Sequence, residues 1–401
     1  MFPGRITAFA AVLLTLAFTP VAGASLTMYI GAAEDEGRNG DPLVAGAKMA
    51  LAHDAGFQAI RVTALWKTGM SELPLDQLEA LRSVAAAADF NGMKIVATVM
   101  PVGSSVTPLT AEARSDFASF AADVVARTTI REVIVGNEPN LNRYWMPQFG
   151  PKGQDVAATA YTRLLAQAYD AIKQVDPSTF VIGGSVSPRG SDRPDLSRQT
   201  HSPTAFILDM GAAYRASGRT TPLMDGFAFH PYGETSSTPP DFLHPRSTSI
   251  GLGDYEKLVF LLGRAFNGTA TRGSSLPIVY DEYGIDSRIP AAKFGFYEGR
   301  EPATTHPVTE YTQAEHYREA MMLAACQPTV RGFLIFHVTD ETDFNRWQSG
   351  VYYADGTPKT SLPMVRSTIE QVRSGHVECW VAGGSGPAEQ APRGRALRPA
   401  R

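Results

Sequence analysis

Several functional classes are excluded by what the chain lacks. It has only two cysteines among 401 residues, Cys326 and Cys379, and neither stands beside a histidine in a catalytic pattern. In an oxidising compartment the two could pair and staple the C-terminal extension to the last helices, or they could remain two free thiols. The eight histidines never fall into His-Glu-x-x-His or His-x-His spacing, which argues against a zinc enzyme. No Gly-x-Gly-x-x-Gly opens a helix, so the fingerprint of a dinucleotide site is missing. Nor is there an excess of positive charge. With 36 Lys and Arg against 40 Asp and Glu, the net charge is −4 and the pI about 6.1, which gives no footprint for nucleic acid and suits a neutral substrate as well as any. Beyond the N-terminus no apolar run approaches the ~20 residues that span a bilayer, so stable membrane insertion is not expected.

What is present describes a globular protein with ample core: 44% hydrophobic and 19% charged residues. The first residues carry one positive charge at Arg5, then an apolar stretch over 6–18, then Thr19-Pro20-Val21-Ala22-Gly23-Ala24. That is the pattern of a secretory signal with cleavage expected after Ala24, which predicts a secreted or extracytoplasmic protein. From Trp380 onward Gly, Pro, Ala and Arg dominate, the composition of a disordered tail. The expected organisation is a signal peptide (1–24), one catalytic domain (25–378) and a tail (379–401), acting as a monomer.

Between these ends, strand-type and helix-type patterns alternate eight times. Apolar, β-branched runs are expected as strands over 26–30, 59–66, 94–100, 133–135, 180–182, 225–230, 277–284 and 332–337. Helical patterns fall over 43–54, 75–90, 110–127, 157–175, 203–216, 255–266, 312–326 and 362–373, with Thr110 read as an N-cap and Gly56 as a C-terminal stop. Eight βα units in about 350 residues predict an α/β fold, a closed (β/α)8 TIM barrel.

Two of the strands end on acids. Val133-Ile134-Val135-Gly136-Asn137-Glu138-Pro139-Asn140 and Pro277-Ile278-Val279-Tyr280-Asp281-Glu282-Tyr283-Gly284 each run from β-branched residues into a glutamate. Pro139 should push Glu138 towards an extended backbone. Strand alternation should point Asp281 away from Glu282, making Glu282 the more probable carboxylate of the pair. In a barrel the two glutamates would face each other across the mouth, the arrangement that glycoside hydrolysis requires. Arg61, Asn137, His230 and Tyr232 also stand at strand ends, where burying them without a use would be costly.

Taken together, Gly56-Phe57-x-Ala-Ile-Arg61-Val, Asn137-Glu138-Pro139, His230-Pro-Tyr232 and Glu282 on strand seven resemble the clan of retaining glycoside hydrolases with glutamates on strands four and seven, which includes family five cellulases and family 39 xylosidases. The resemblance covers about residues 26–375. It implies that Glu138 is the general acid/base and Glu282 the nucleophile. Asn137 would bond the sugar 2-hydroxyl, Arg61 and Tyr232 would hold Glu282 ionised, and His230 would line the same subsite. No metal or organic cofactor enters such a cycle, and the partner is a β-linked oligo- or polysaccharide.

Two departures separate the chain from family five and leave family 39 or a neighbouring group. Strand three ends in Met100-Pro101 where many members carry a histidine, and strand eight ends in Phe336-His337-Val338 where the clan often has a tryptophan. Trp66, Trp145, Trp347 and His337 are candidates for sugar contacts, and Phe294, Phe296 and Tyr297 for loop residues that shape the subsites. The acidic run 339–343 reads as solvated or bonded to Arg346 rather than as a calcium site. A catalytically silent barrel that binds glycans is the alternative reading. A lyase or isomerase would need a metal or phosphate site that the sequence does not offer.

Overall fold

A computed structural model describes residues 28–302 and 305–379; the stretch expected as a signal peptide and the expected tail from Trp380 lie outside the described residues. Eight strands form, β1 (Tyr29–Ala33), β2 (Ala59–Trp66), β3 (Lys94–Pro101), β4 (Glu132–Val135), β5 (Phe180–Val186), β6 (Gly226–Phe229), β7 (Ile278–Tyr283) and β8 (Val330–Phe336). Each pairs in parallel with the next, and β1 pairs with β8, so the sheet closes in the order β1 to β8. The helices alternate with them: α1 (Pro42–Asp54), α2 (Leu75–Phe90), α3 (Ala111–Arg127), α4 (Ala157–Val175), α5 (Pro203–Ala216), α6 (Tyr255–Phe266), α7 (Glu310–Ala325) and α8 (Leu362–Arg373). This is the (β/α)8 barrel that the alternating pattern predicts.

Local chemistry fixes the helix starts. The Thr110 hydroxyl accepts from Ala113 N at 3.1 Å and starts α3; Ser202 does the same for α5, just before Pro203 at the first helical position. Thr309 caps α7 in the same way, so that helix begins at Glu310 rather than at 312. The first strand lies three residues later than expected, because Tyr29 and Gly31 must face β8 and β2 in register.

One apolar residue from each strand fills the barrel interior: Tyr29, Ala59, Val96, Ile134, Ile182, Ala228, Val279 and Leu334. Large and small side chains share this layer, and Gly332 is small because a Cβ there would lie 2.4 Å from the Tyr29 ring. At the barrel's base, Glu132 accepts from Tyr29 Oη at 3.1 Å, Lys94 Nζ at 2.7 Å and Arg331 Nη2 at 2.6 Å. Burial alone would raise the Glu132 carboxyl, but the bonds and charges of Lys94 and Arg331 hold it below its ordinary value. The ion cluster closing the base therefore belongs to Glu132, while Arg61 is left for the other end.

Two irregularities break the regular in-and-out alternation near the mouth. Between Tyr280 and Tyr283, β7 advances three residues while β8 advances two, from Phe333 to Ile335. Between Gly184 and Val186, β5 carries one residue more than β6, and Ser185 takes φ 51°. Each is a β-bulge, which re-aims the extra residue's side chain. Because of the Gly183-Gly184-Ser185 stretch, β5 runs four residues beyond its expected end at 182.

The two cysteines are joined, so the free-thiol alternative does not apply. Cys326, at the end of α7, is bonded to Cys379, beyond α8, across a sequence separation of 53 residues. Closing a loop of that length restricts the unfolded chain by about 4 kcal/mol in the chain-entropy model. Cys379→Ser is expected to lower stability by about 2–4 kcal/mol in urea titrations, with wild type in reductant losing a similar amount. An unchanged midpoint in both would contradict a stabilising staple.

Candidate active site

β4 delivers Glu138 through a tight turn, not through the extended exit that Pro139 suggested. Gly136 takes φ 86° and Glu138 itself φ 38°, a left-handed conformation that costs a non-glycine residue about 1–2 kcal/mol. The surroundings over-determine it. Glu138 N donates to Ser185 O at 2.7 Å, and Leu141 N donates to Glu138 O at 2.9 Å. Asn140, fully buried, donates to Ser187 O and His201 O at 3.2 and 3.0 Å and accepts from Ser187 N at 2.9 Å, tying the β4 exit to the β5 loop. Gly136 is required twice over, for its φ and because a Cβ would lie 2.9 Å from the Tyr161 ring.

Asp281 follows Val279 into the barrel by alternation, and the bulge in β7 turns Glu282 the same way, against the expectation that the two acids point apart. Asp281 accepts from Arg61 Nη1 at 3.1 Å and from Ser185 Oγ at 2.8 Å. Glu282 is paired with Arg61 Nη2 through Oε1 and accepts from Tyr232 Oη at 3.0 Å through Oε2. Between these acids and Glu138 lies the fully buried His230 ring. Its Nδ1 is 3.0 Å from Glu138 Oε1 and 3.4 Å from Glu282 Oε2, and its Nε2 is 3.2 Å from Asp281 Oδ2. The two glutamate oxygens are thus no further apart than 3.0 Å plus 3.4 Å, or 6.4 Å.

Electrostatics follow from this packing. Burial works against a charged His230, yet Glu282 and Asp281, with hydrogen bonds to Asp281 and Glu138, hold the ring well above its ordinary value, so it is an imidazolium. Asp281 is buried as well, but His230 and Arg61 hold it below the ordinary carboxylate range. Burial and the charges of Glu282 and Glu138 raise Tyr232, which stays a neutral donor. Two cations, Arg61 and His230, therefore face three carboxyls, and the cluster is neutral when one carboxyl carries a proton. Glu138 thus has a cationic neighbour in the His230 ring, 3.0 Å away.

Above the cluster opens a cleft of about 770 Å³, lined by both glutamates, Tyr144, Tyr232 and Trp347. Trp347 stacks on Tyr232 with ring centres 5.1 Å apart and forms an aromatic wall beside Glu282. Asp286 also faces the cleft, and burial pushes it up to about 7 despite the hydrogen bond from Gln348 N. Asn137 is buried next to Glu138, and its side chain makes no hydrogen bond within the described residues.

The other aromatic candidates lie elsewhere. Trp66 is fully buried, packs on Phe117 and donates to Met70 O; Trp145 packs edge-on against Tyr161. Both belong to the layer between sheet and helices, because the strand and loop that carry them turn those side chains outward from the barrel axis. His337 sits behind the cleft wall, with Nδ1 2.8 Å from Ala33 O and Nε2 3.6 Å from Glu341. Tyr297 stacks on Phe344 and donates to Asp340, so its loop braces the segment after β8. In that segment Asp340 is buried on Lys359 at 2.7 Å, while Glu341 lies 3.8 Å from Arg346.

Asp281, Ser185 and Asn140 were not singled out as site residues from sequence. The bulge that aims Ser185 has a glycine pair as its sequence signal, at Gly183-Gly184, whereas the bulge in β7 has none.

No family model and no curated protein sequence matches the chain. Similarity to solved structures is extensive. A glucosidase from Croceicoccus marinus superposes with a TM-score of 0.58 at 12% identity, over 87% of this chain and 68% of that one. A GH5_18 protein from Streptomyces cattleya, in complex with Manb1-4GlcNAc, gives 0.55 at 14% identity over 86% and 81% of the two chains. The exo-beta-1,4-mannosidase Op5Man5 from Opitutaceae bacterium strain TAV5 gives 0.53 at 14% identity, over 86% of this chain and 60% of that one. At such identities the likeness establishes a shared barrel.

Asp281 anchors both cations, which makes it the test of the cluster. Asp281→Asn should destabilise the fold by about 3 kcal/mol or more, since it strands buried charge. The effect should also depend on pH. A ring whose folded value exceeds its unfolded ~6.5 contributes fully below that pH and loses the contribution as pH rises through the folded value. Urea unfolding between pH 5.5 and 9 should show that decline ending at lower pH, with a smaller total loss, in the variant than in wild type; parallel curves would contradict the arrangement.

Proposed function

We propose that the protein is a retaining glycoside hydrolase that cleaves β-linked oligo- or polysaccharides, with residues 25–378 as its catalytic domain. The observation that carries this reading is the sharing of one imidazole nitrogen by Glu138 and Glu282, with their oxygens at most 6.4 Å apart. Retaining enzymes place the carboxyls about 5–5.5 Å apart, whereas inverting ones leave about 6.5–9.5 Å for a water. The barrel shared with a glucosidase and a mannosidase fits the same chemistry.

In the first step Glu282 attacks the anomeric carbon as Glu138 gives its proton to the departing oxygen. The C–O bond to the leaving sugar breaks, and a glycosyl ester forms on Glu282. Esterification removes the Glu282 charge and leaves Glu138 as a carboxylate beside the His230 imidazolium. In the second step Glu138 takes a proton from water, whose oxygen attacks the same carbon and releases Glu282. Arg61 and Tyr232 orient the nucleophile and receive its charge back. Asn137, with its unengaged amide next to Glu138, is assigned to the sugar 2-hydroxyl, and Trp347 to the sugar's apolar face.

We place the enzyme outside the cytoplasm, as a monomer. The Cys326–Cys379 disulfide supports an oxidising compartment, and the N-terminal segment has the composition of a signal peptide. Among the described residues, no helix is long and apolar enough to cross a membrane.

On an activated aryl β-glycoside, Glu282→Gln should abolish turnover. Glu138→Ala should lose about 10²–10⁴-fold in rate on a substrate with a poor leaving group, and azide should restore its activity on the activated one. Absence of rescue in Glu138→Ala would void the assigned roles, and inactivity of the wild type across a panel of aryl β-glycosides and β-glycans would leave a silent glycan-binding barrel.

A further inference from the structure

The walls of the cleft differ in charge. Arg143, from the β4–α4 loop, and Arg189 and Arg198, from the β5–α5 loop, line one side. Arg189 is fixed by donating to Tyr232 O and Gly233 O at 3.1 and 2.9 Å. Arg143 lies over the Tyr144 ring at 5.4 Å. Among the described residues, neither Arg143 nor Arg198 has a hydrogen bond or an ion pair, and both are exposed. The acids around the cleft are engaged by contrast. Glu234 is paired with His244, Glu341 lies near His337 and Arg346, Asp286 accepts from Gln348 N, and Asp343 accepts from Asn345 N. What a ligand meets on the arginine side is positive charge, without an ion pair among the described residues at Arg143 and Arg198 and partly offset at Arg189 by Glu234 and Glu138.

That side is the Glu138 side. Arg143 follows Glu138 by five residues in the β4–α4 loop, and Glu138 N donates at 2.7 Å to Ser185 O, at the end of the strand that leads to Arg189 and Arg198. Trp347 and Tyr232 form the other flank, beside Glu282. Arg189 is held below its ordinary value by burial and further by the like charge of Arg198, a repulsion that an anion between them would relieve. Guanidinium groups match carboxylates and sulfates with paired N–H donors, whereas a neutral hydroxyl gains little from their charge.

Resting on the glycosidase reading, we propose that the sugar unit on the leaving-group side of the scissile bond carries an anionic group, a carboxylate or a sulfate ester, received by Arg143, Arg189 and Arg198. The sugar transferred to Glu282 sits towards Trp347, and the unit that departs with the Glu138 proton sits against the arginines.

The test uses β-1,4-linked tetrasaccharides in gluco, manno and galacto configuration, each in three forms: neutral, oxidised to the carboxylate at C6, and sulfated at C6. Binding to Glu282→Gln is measured by calorimetry at about 50 and 500 mM NaCl, a range over which the Debye length falls from about 14 to 4 Å. In at least one configuration an anionic form should bind ten-fold or more tighter than its neutral counterpart. That advantage should shrink at high salt and fall at least ten-fold when Arg143→Gln and Arg198→Gln are added. Whether the oxidised or the sulfated form has the advantage separates the two anions. Equal or weaker binding of all anionic forms overturns the proposal, as does an advantage that survives the double substitution. Turnover of neutral aryl β-glycosides by the wild type decides the glycosidase reading separately.

Discussion

The site depends on one buried imidazolium. His230 stands where Glu138, Asp281 and Glu282 converge, and without its charge three carboxyls would crowd one end of the barrel with only Arg61 to offset them. Like charges at such distances in a poorly solvated interior are strongly unfavourable. With the ring charged, the cluster balances when a single proton remains on one carboxyl. That is the state an acid/base and nucleophile pair needs before the first bond breaks. The bulges in β5 and β7 serve this cluster by bringing Ser185 and Glu282 inward, where Ser185 meets both the ring and Asp281.

The rest of the molecule allows that cluster to exist. The apolar interior layer, one residue from each strand, seals the space beneath it, and Glu132 with Lys94 and Arg331 closes the base. The left-handed backbone at Glu138 is held by Ser185, Leu141 and Asn140, so the strain is borne by a framework of hydrogen bonds. The disulfide fastens the chain beyond α8 to the end of α7.

Much of this was legible in the sequence because it rests on local rules. Eight alternations of period and the caps at Thr110 and Gly56 specify the barrel, and Arg61 inside strand two, with Glu138, His230, Tyr232 and Glu282 at or just past strand endings, specifies who meets at its mouth. What was not legible depends on departures from those rules. Alternation set Asp281 and Glu282 on opposite faces, and a one-residue bulge brought both inward. Pro139 argued for an extended Glu138, and tertiary hydrogen bonds overrode that preference. Trp66 and Trp145 were indistinguishable by composition from Trp347. Only the path of the chain shows that the first two fill the shell between sheet and helices while the third flanks the cleft.

The central claim is that the two glutamates act on one anomeric carbon by successive displacements. Proton NMR of the first hemiacetal released from a hydrolysed aryl β-glycoside tests it most directly, before mutarotation scrambles the product. The account predicts the β anomer first, with the α anomer growing in slowly. An α anomer at the earliest time points would mean direct attack by water and would contradict it.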